Sequence, residues 1–137
     1  MAFINLEQAQ TVVAAALKEG RSLGLKPLSV AVLDAGGHLV AFARENDSSN
    51  LRPQIAIAKA SGALALGVSS RTIGEMALDR PTFVNGAAAL NPGGIIAAAG
   101  GLLIQSGGST IGAVGVTGDL SDNDEKCAAA GIAAIEL

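Results

Sequence analysis

The chain has one histidine, His38, and one cysteine, Cys127, and no tryptophan or tyrosine, so few groups can do redox or nucleophilic chemistry. An imidazole that titrates near neutrality can move a proton or ligate a metal, haem iron included. His38 directly follows the Gly36-Gly37 pair. No second histidine, cysteine cluster or H-E-x-x-H pattern supports a zinc site. A histidine held structurally by hydrogen bonds is the open alternative. Asp34, four residues before it, is a second candidate for moving a proton. Lys59 stands in the otherwise apolar IAIAKA segment. An ammonium buried there needs a carboxylate partner, or it reaches a pocket and holds an acidic ligand. Arg44, Arg52, Arg71 and Arg80 are the remaining anion-binding candidates, against the ordinary fate of a solvated surface arginine. Cys127 lies in the Ala-rich KCAAAGIAAIEL, where a buried inert thiol is expected.

These residues must be positioned by a chain rich in small apolar side chains: 50% hydrophobic but only 2% aromatic, with phenylalanines at 3, 42 and 83. Such a core is thin, which favours association that buries more surface. The net charge is −3 with no basic stripe, which argues against a nucleic-acid partner. One cysteine excludes an intramolecular disulfide framework. Met1–Leu6 lacks the features of a secretory signal, and Ile95–Ile104 is too short and glycine-broken to span a membrane. The expectation is one cytoplasmic domain over 1–137, with no membrane partner.

The spacing predicts a helix from Asn5, capped with Gln8 as a capping box and stopped at Gly24. Strands at Leu28–Asp34 and His38–Glu45 follow, joined by a hairpin in which Gly36 and Gly37 supply positive φ. Pro53 opens a well-buried helix over Pro53–Leu66. Ser69–Asn85 reads as less regular, with a short helix capped by Ser70 or Thr72 and a short turn starting at Arg80-Pro81. Asn91 with Pro92, Gly93 and Gly94 forms a firm turn. Three strands are expected next, at Ile95–Ala99, Leu102–Gln105 and Thr110–Thr117. Ser121, spaced from Asp124 as a capping box, opens a last helix over Asp122–Ile135. The result is an α+β fold with a five-stranded antiparallel sheet flanked by helices, in the order α-β-β-α-β-β-β-α. No Gly-Gly pair fits a phosphate loop, and no G-x-S-x-G elbow exists. GAVGVTG, ending at Thr117 and Gly118, is small enough for a backbone or a flat ligand to approach closely.

SVAVLDAGGHLVAFAR, IAIAKA, the PGG at 92–94, IGAVGVTG and DNDEKCAAAGIAAI together resemble, over nearly the whole chain and in order, the GlcG/HbpS haem-binding family. Related domains form the carboxy-terminal part of some cobalamin adenosyltransferases. The resemblance implies a profilin-like topology, dimers or octamers, and haem binding or degradation as seen in some members. Asp34, Gly36, Gly37, Lys59, Pro92, Gly93, Gly94, Gly115, Gly118 and Asp124 match its pattern. His38 and the Asn85–Leu90 stretch depart from it.

The expected function is that of an oligomeric protein binding haem or a related tetrapyrrole, accessory to a bacterial catabolic or haem-handling pathway. His38, Arg44, Arg52, Lys59 and Thr117 are the ligand-binding candidates, with His38 as candidate haem-iron ligand. With so few aromatic residues, haem is expected at a surface or subunit interface. The alternatives are a metal-independent enzyme acting on a small organic acid, with His38 or Asp34 as proton shuttle and Lys59 or an arginine as clamp, and an accessory subunit without ligand.

Overall fold

The computed structural model describes residues 3–137, so the first two residues of the Met1–Leu6 stretch lie outside it. The order is α1 (Leu6–Ser22), β1 (Ser29–Asp34), β2 (Leu39–Arg44), α2 (Arg52–Leu66), α3 (Ser70–Asp79), α4 (Pro81–Leu90), β3 (Gly101–Ser106), β4 (Ser109–Thr117) and α5 (Ser121–Ala133). The four strands form one antiparallel sheet in the order β2-β1-β4-β3. The α+β architecture stands, with four strands where five were expected and five helices around them.

The two faces of the sheet carry different residues. Val30, Val32, Ile104, Val114 and Val116 pack against Ala9, Val12 and Ala16 of α1 and Cys127 and Ala128 of α5. On the other face Leu33 and Ala113 meet Ala60 of α2. Here the sheet is pared down to let α2 come close: a Cβ on Gly115 would collide with the Ala56 carbonyl oxygen, and one on Gly101 with that of Lys59. Alternation along each strand thus separates a bulky face from a small one.

The missing strand is Ile95–Ala99. Its apolar run has no period-2 alternation, and it is used against helices: Gly62 of α2 faces Ile95, and Gly74 of α3 faces the Ala97 carbonyl. Ser69–Asn85 is more regular than expected. Ser69, rather than Ser70 or Thr72, caps α3 by accepting from the Thr72 N–H, and Pro81 starts a ten-residue helix. At α5 the N-cap is Leu120, without a side-chain cap bond, so the Ser121 capping box does not form. The Asp124 carboxylate instead accepts the Asp119 N–H at 3.0 Å. The Asn5–Gln8 capping box is present, and Gly24 and Gly67 sit in left-handed conformations just past α1 and α2.

Candidate functional site

The β1–β2 turn is built around Asp34. One of its carboxylate oxygens, Oδ1, accepts the Gly36 N–H at 2.9 Å and the His38 N–H at 3.0 Å, and stands 3.1 Å from His38 Nδ1. Although partial burial works the other way, the bonds from His38 and Gly36 hold the Asp34 carboxyl below its ordinary range. Gly37 has φ +84°, as the turn requires. Gly36 does not share that conformation. A Cβ there would meet the His38 ring at 2.8–2.9 Å, so a side chain at this position would displace the imidazole from Asp34. The imidazole is therefore steadied at Nδ1 while its side chain remains 80% exposed.

Gly36 and Gly37 line a cleft of about 180 Å³ with Ala35, Ser61, Leu64, Ala65 and Asn91. Ala65 and Asn91 also line its neighbour, a trough of about 270 Å³ completed by Leu66, Ala87, Leu90, Pro92 and Ile95. Neither is lined by a charged residue. Pro92 and Gly93 form the turn expected of them, closed by the Gly94 N–H on the Asn91 carbonyl (2.9 Å) and by Asn91 Nδ2 on the Gly94 carbonyl (2.7 Å). Gly93 leaves room for Ser61, whose hydroxyl accepts a bond from Asn91 Nδ2. Sequence reasoning missed Ser61, Leu64, Leu66 and Leu90 as cleft residues. Their spacing on α2 and α4 signals an amphipathic helix and nothing more.

The other expected residues lie at the opposite end of the sheet. Ser29 pairs with both Arg44 and Thr117, whereas Asp34 pairs with Gly112 at the far end of the same strand. Arg52 donates from Nη1 to the Thr117 hydroxyl at 2.8 Å. Lys59 is 3% exposed. Its Nζ donates to the Val116 carbonyl at 2.9 Å and to Asp124 at 3.1 Å, passing the side-chain-free Gly100 to reach α5. The ion-pair alternative for Lys59 is thus the one found, and the ammonium is closed off from any ligand in solution. Burial lowers the Lys59 pKa, opposed by Asp124 and reinforced by nearby Arg52. Burial likewise raises that of Asp124.

Arg71 is taken by Asp122 (2.6 Å) and Glu125 (3.1 Å) and offers no free anion site, whereas Arg80 stacks over Phe83 at 4.1 Å. Cys127 is buried, its thiol pushed up to about 11 mainly by burial, and is inert as expected. Among the described residues no cluster of His, Cys, Asp and Glu could hold a bare metal ion, and no helix is long and apolar enough to cross a membrane.

Residues 4–133 match the family described as haem degrading protein HbpS-like. No curated protein matches the sequence. Among solved structures, a double mutant of HbpS from Streptomyces reticuli is 25% identical with a TM-score of 0.88, covering 100% of this chain and 90% of that one. The Klebsiella pneumoniae protein ORFY, assigned to DUF336, is 27% identical with a TM-score of 0.86, covering 99% of this chain and 94% of its own. The PduOC:heme complex is 22% identical with a TM-score of 0.88, covering 98% and 96%, a likeness of fold.

Proposed function

The chain belongs to the HbpS-like family of haem degrading proteins, and we propose that it binds haem or a related tetrapyrrole at the β1–β2 turn. The observation that carries this reading is the Asp34–His38 pair, 3.1 Å apart, which brackets the Ala35–Gly37 stretch that lines an uncharged cleft. The donor set suits the group. A histidine whose Nδ1 is held by a carboxylate has a fixed tautomer and presents a more basic Nε2 to a metal. Haem, when bound, supplies its own redox-active iron. The glycines at 36 and 37 keep side chains away from a flat ring, and Ala65, Leu66 and Leu90 offer it apolar surface. With no lysine or arginine lining the cleft, the propionates are left to water. The family's haem chemistry and the fold shared with PduOC, which was crystallised with haem, support the same reading.

The protein acts as a homo-oligomer, a dimer or octamer, and works in the cytoplasm. Support comes from the α3–α4 hairpin, where Leu78 is 84% and Leu90 86% exposed. On α2, by contrast, Ala56 and Ala58–Ala63 are already buried within the protomer. Patches of this kind mark association surfaces. Leu90 also lines the trough, which supports a haem site beside the subunit contact.

An absorbance titration with hemin tests the function. Saturation at one haem per chain or per dimer, with a shifted Soret band, is the expected result. Unsaturable binding at micromolar protein would overturn it. Light scattering that gives a monomer of 13.5 kDa would remove the oligomer.

A further inference from the structure

The end of the sheet opposite His38 holds arginines without a carboxylate partner and two buried hydroxyls without a hydrogen-bond partner among the described residues. Directly paired residues project to the same face, so Ser29, Arg44 and Thr117 form one row across β2, β1 and β4, on the side covered by α2. Arg52, in the first turn of α2, comes down onto that row through its bond to Thr117. Neither Arg44 nor Arg52 makes an ion pair among the described residues. Arg44 donates to the Ser48 carbonyl, and Arg52 otherwise reaches only the Ser49 hydroxyl at 3.3 Å. Of the acids in the β2–α2 connection, Glu45 is held by Arg21 and the Leu28 N–H, and Asp47 has no ion-pair partner among the described residues.

Ser29 is 0% and Ser48 6% exposed, and both hydroxyls lack a hydrogen-bond partner among the described residues. Ser29 lies on the α2-covered face beside Thr117, the residue that Arg52 bonds, and Ser48 sits in the connection leading into α2. A buried hydroxyl without a partner is costly and calls for an explanation. The helix adds its own field. α2 runs fifteen residues, has no side-chain cap and no acid in its first turn; the Arg52 N–H is taken by the Ser49 carbonyl at 3.1 Å and Pro53 has none, so what the helix end offers is its positive dipole, uncompensated by any acid. The arginine repulsion felt by Lys59 is the same excess charge seen from inside.

We propose that the start of α2, with Arg44, Arg52, Ser29, Ser48 and Thr117, is a binding site for a small carboxylate or phosphate anion, separate from the haem site. Guanidinium groups that bond only neutral oxygens keep donors free for an oxyanion. An anion here would give the two serine hydroxyls acceptors and neutralise the helix end. Arg44 and Arg52 are then binding residues, as the sequence suggested, but of a different ligand from the one His38 meets.

The test is calorimetric titration of the haem-free full chain with inorganic phosphate and, separately, with malonate, against chloride at equal ionic strength. One saturable site per chain is expected, with the tighter of the two anions identifying the ligand as a phosphate or a carboxylate. Arg44→Gln and Arg52→Gln should each weaken binding at least tenfold. Arg44 is exposed, so its variant tests the site even if Arg52→Gln fails to fold. Ser29→Ala should bind several-fold more weakly while melting no lower than wild type without anion, since the hydroxyl it removes is idle. His38→Ala should bind the anion as wild type does, and a protein that fails to bind hemin should still bind it. No saturable heat with either anion, or unchanged affinity in both arginine variants, overturns the proposal. Loss of anion binding in His38→Ala also overturns it as a separate site.

Discussion

The two ends of β1 place charged side chains in opposite circumstances. At Asp34 the strand opens into a glycine turn, and the His38 imidazole beside it stays 80% exposed. At Ser29 the strand is fully buried, and at the same end of the sheet Lys59 and Asp124 face each other at 3% and 1% exposure. Both ends hold an acid–base pair at the same 3.1 Å, yet only one pair is free to meet a ligand. Desolvation makes the difference. A buried ammonium and carboxylate are committed to each other, whereas an exposed imidazole held at one nitrogen keeps the other for chemistry. Distance alone says little about what a polar pair is for.

Breaking the buried pair should have the largest effect. Lys59→Met leaves Asp124 charged, buried and unpartnered, at a cost of about 3–5 kcal/mol. Its melting temperature should fall by roughly 10–20 °C. A fall of only a degree or two would mean that this end is as free as the other. Next comes the close approach of α2 to the sheet that aims Lys59 at α5. Gly115→Ala inserts a methyl against the Ala56 carbonyl and should cost about 1–3 kcal/mol in denaturant unfolding. Wild-type stability would show that α2 can move away.

The architecture was legible where local chemistry and tertiary packing agree. Asn5–Gln8, the hairpin at Gly37 and the Pro92–Gly93 turn all follow from rules acting within a few residues. Ile95–Ala99 was misread because an unalternating apolar run fits a strand or a packed loop equally well, and only the helices beneath it decide. Ser121 was misread for a similar reason, since Asp124, its expected capping partner, is drawn away by Lys59. The candidate site was half legible. His38 and its glycines were visible as a motif, while Leu64 and Leu90 meet only through the fold. Lys59 and Arg52 were visible as charges, and only burial distinguishes the one committed to an ion pair from the one without a carboxylate.

A smaller effect is expected at the exposed end. Asp34→Asn keeps an acceptor for the turn but removes the charge that orients His38. Hemin affinity should weaken about tenfold with little change in melting temperature, and unchanged affinity would show that the imidazole needs no orienting. The smallest effect concerns acid. Bonds from Asn123 and the Lys26 and Leu120 N–H groups hold Asp119 at about 2, below its usual 3.8. A carboxyl lowered in the folded state contributes stability above its unfolded pKa and loses it as pH falls through the folded one. Melting temperatures should therefore drop between about pH 4 and pH 2, less steeply in Asp119→Asn. Equal slopes would assign the acid sensitivity elsewhere.

The central claim, that the His38 end binds haem while the Lys59 end holds the fold, is tested most directly by measuring hemin affinity and melting temperature on the same preparation of His38→Ala. The account predicts a hemin affinity lowered at least tenfold with an altered Soret band, and a haem-free melting temperature within about 2 °C of wild type, as for an exposed substitution. Wild-type affinity and spectrum, or a melting temperature that collapses with the histidine, would contradict it.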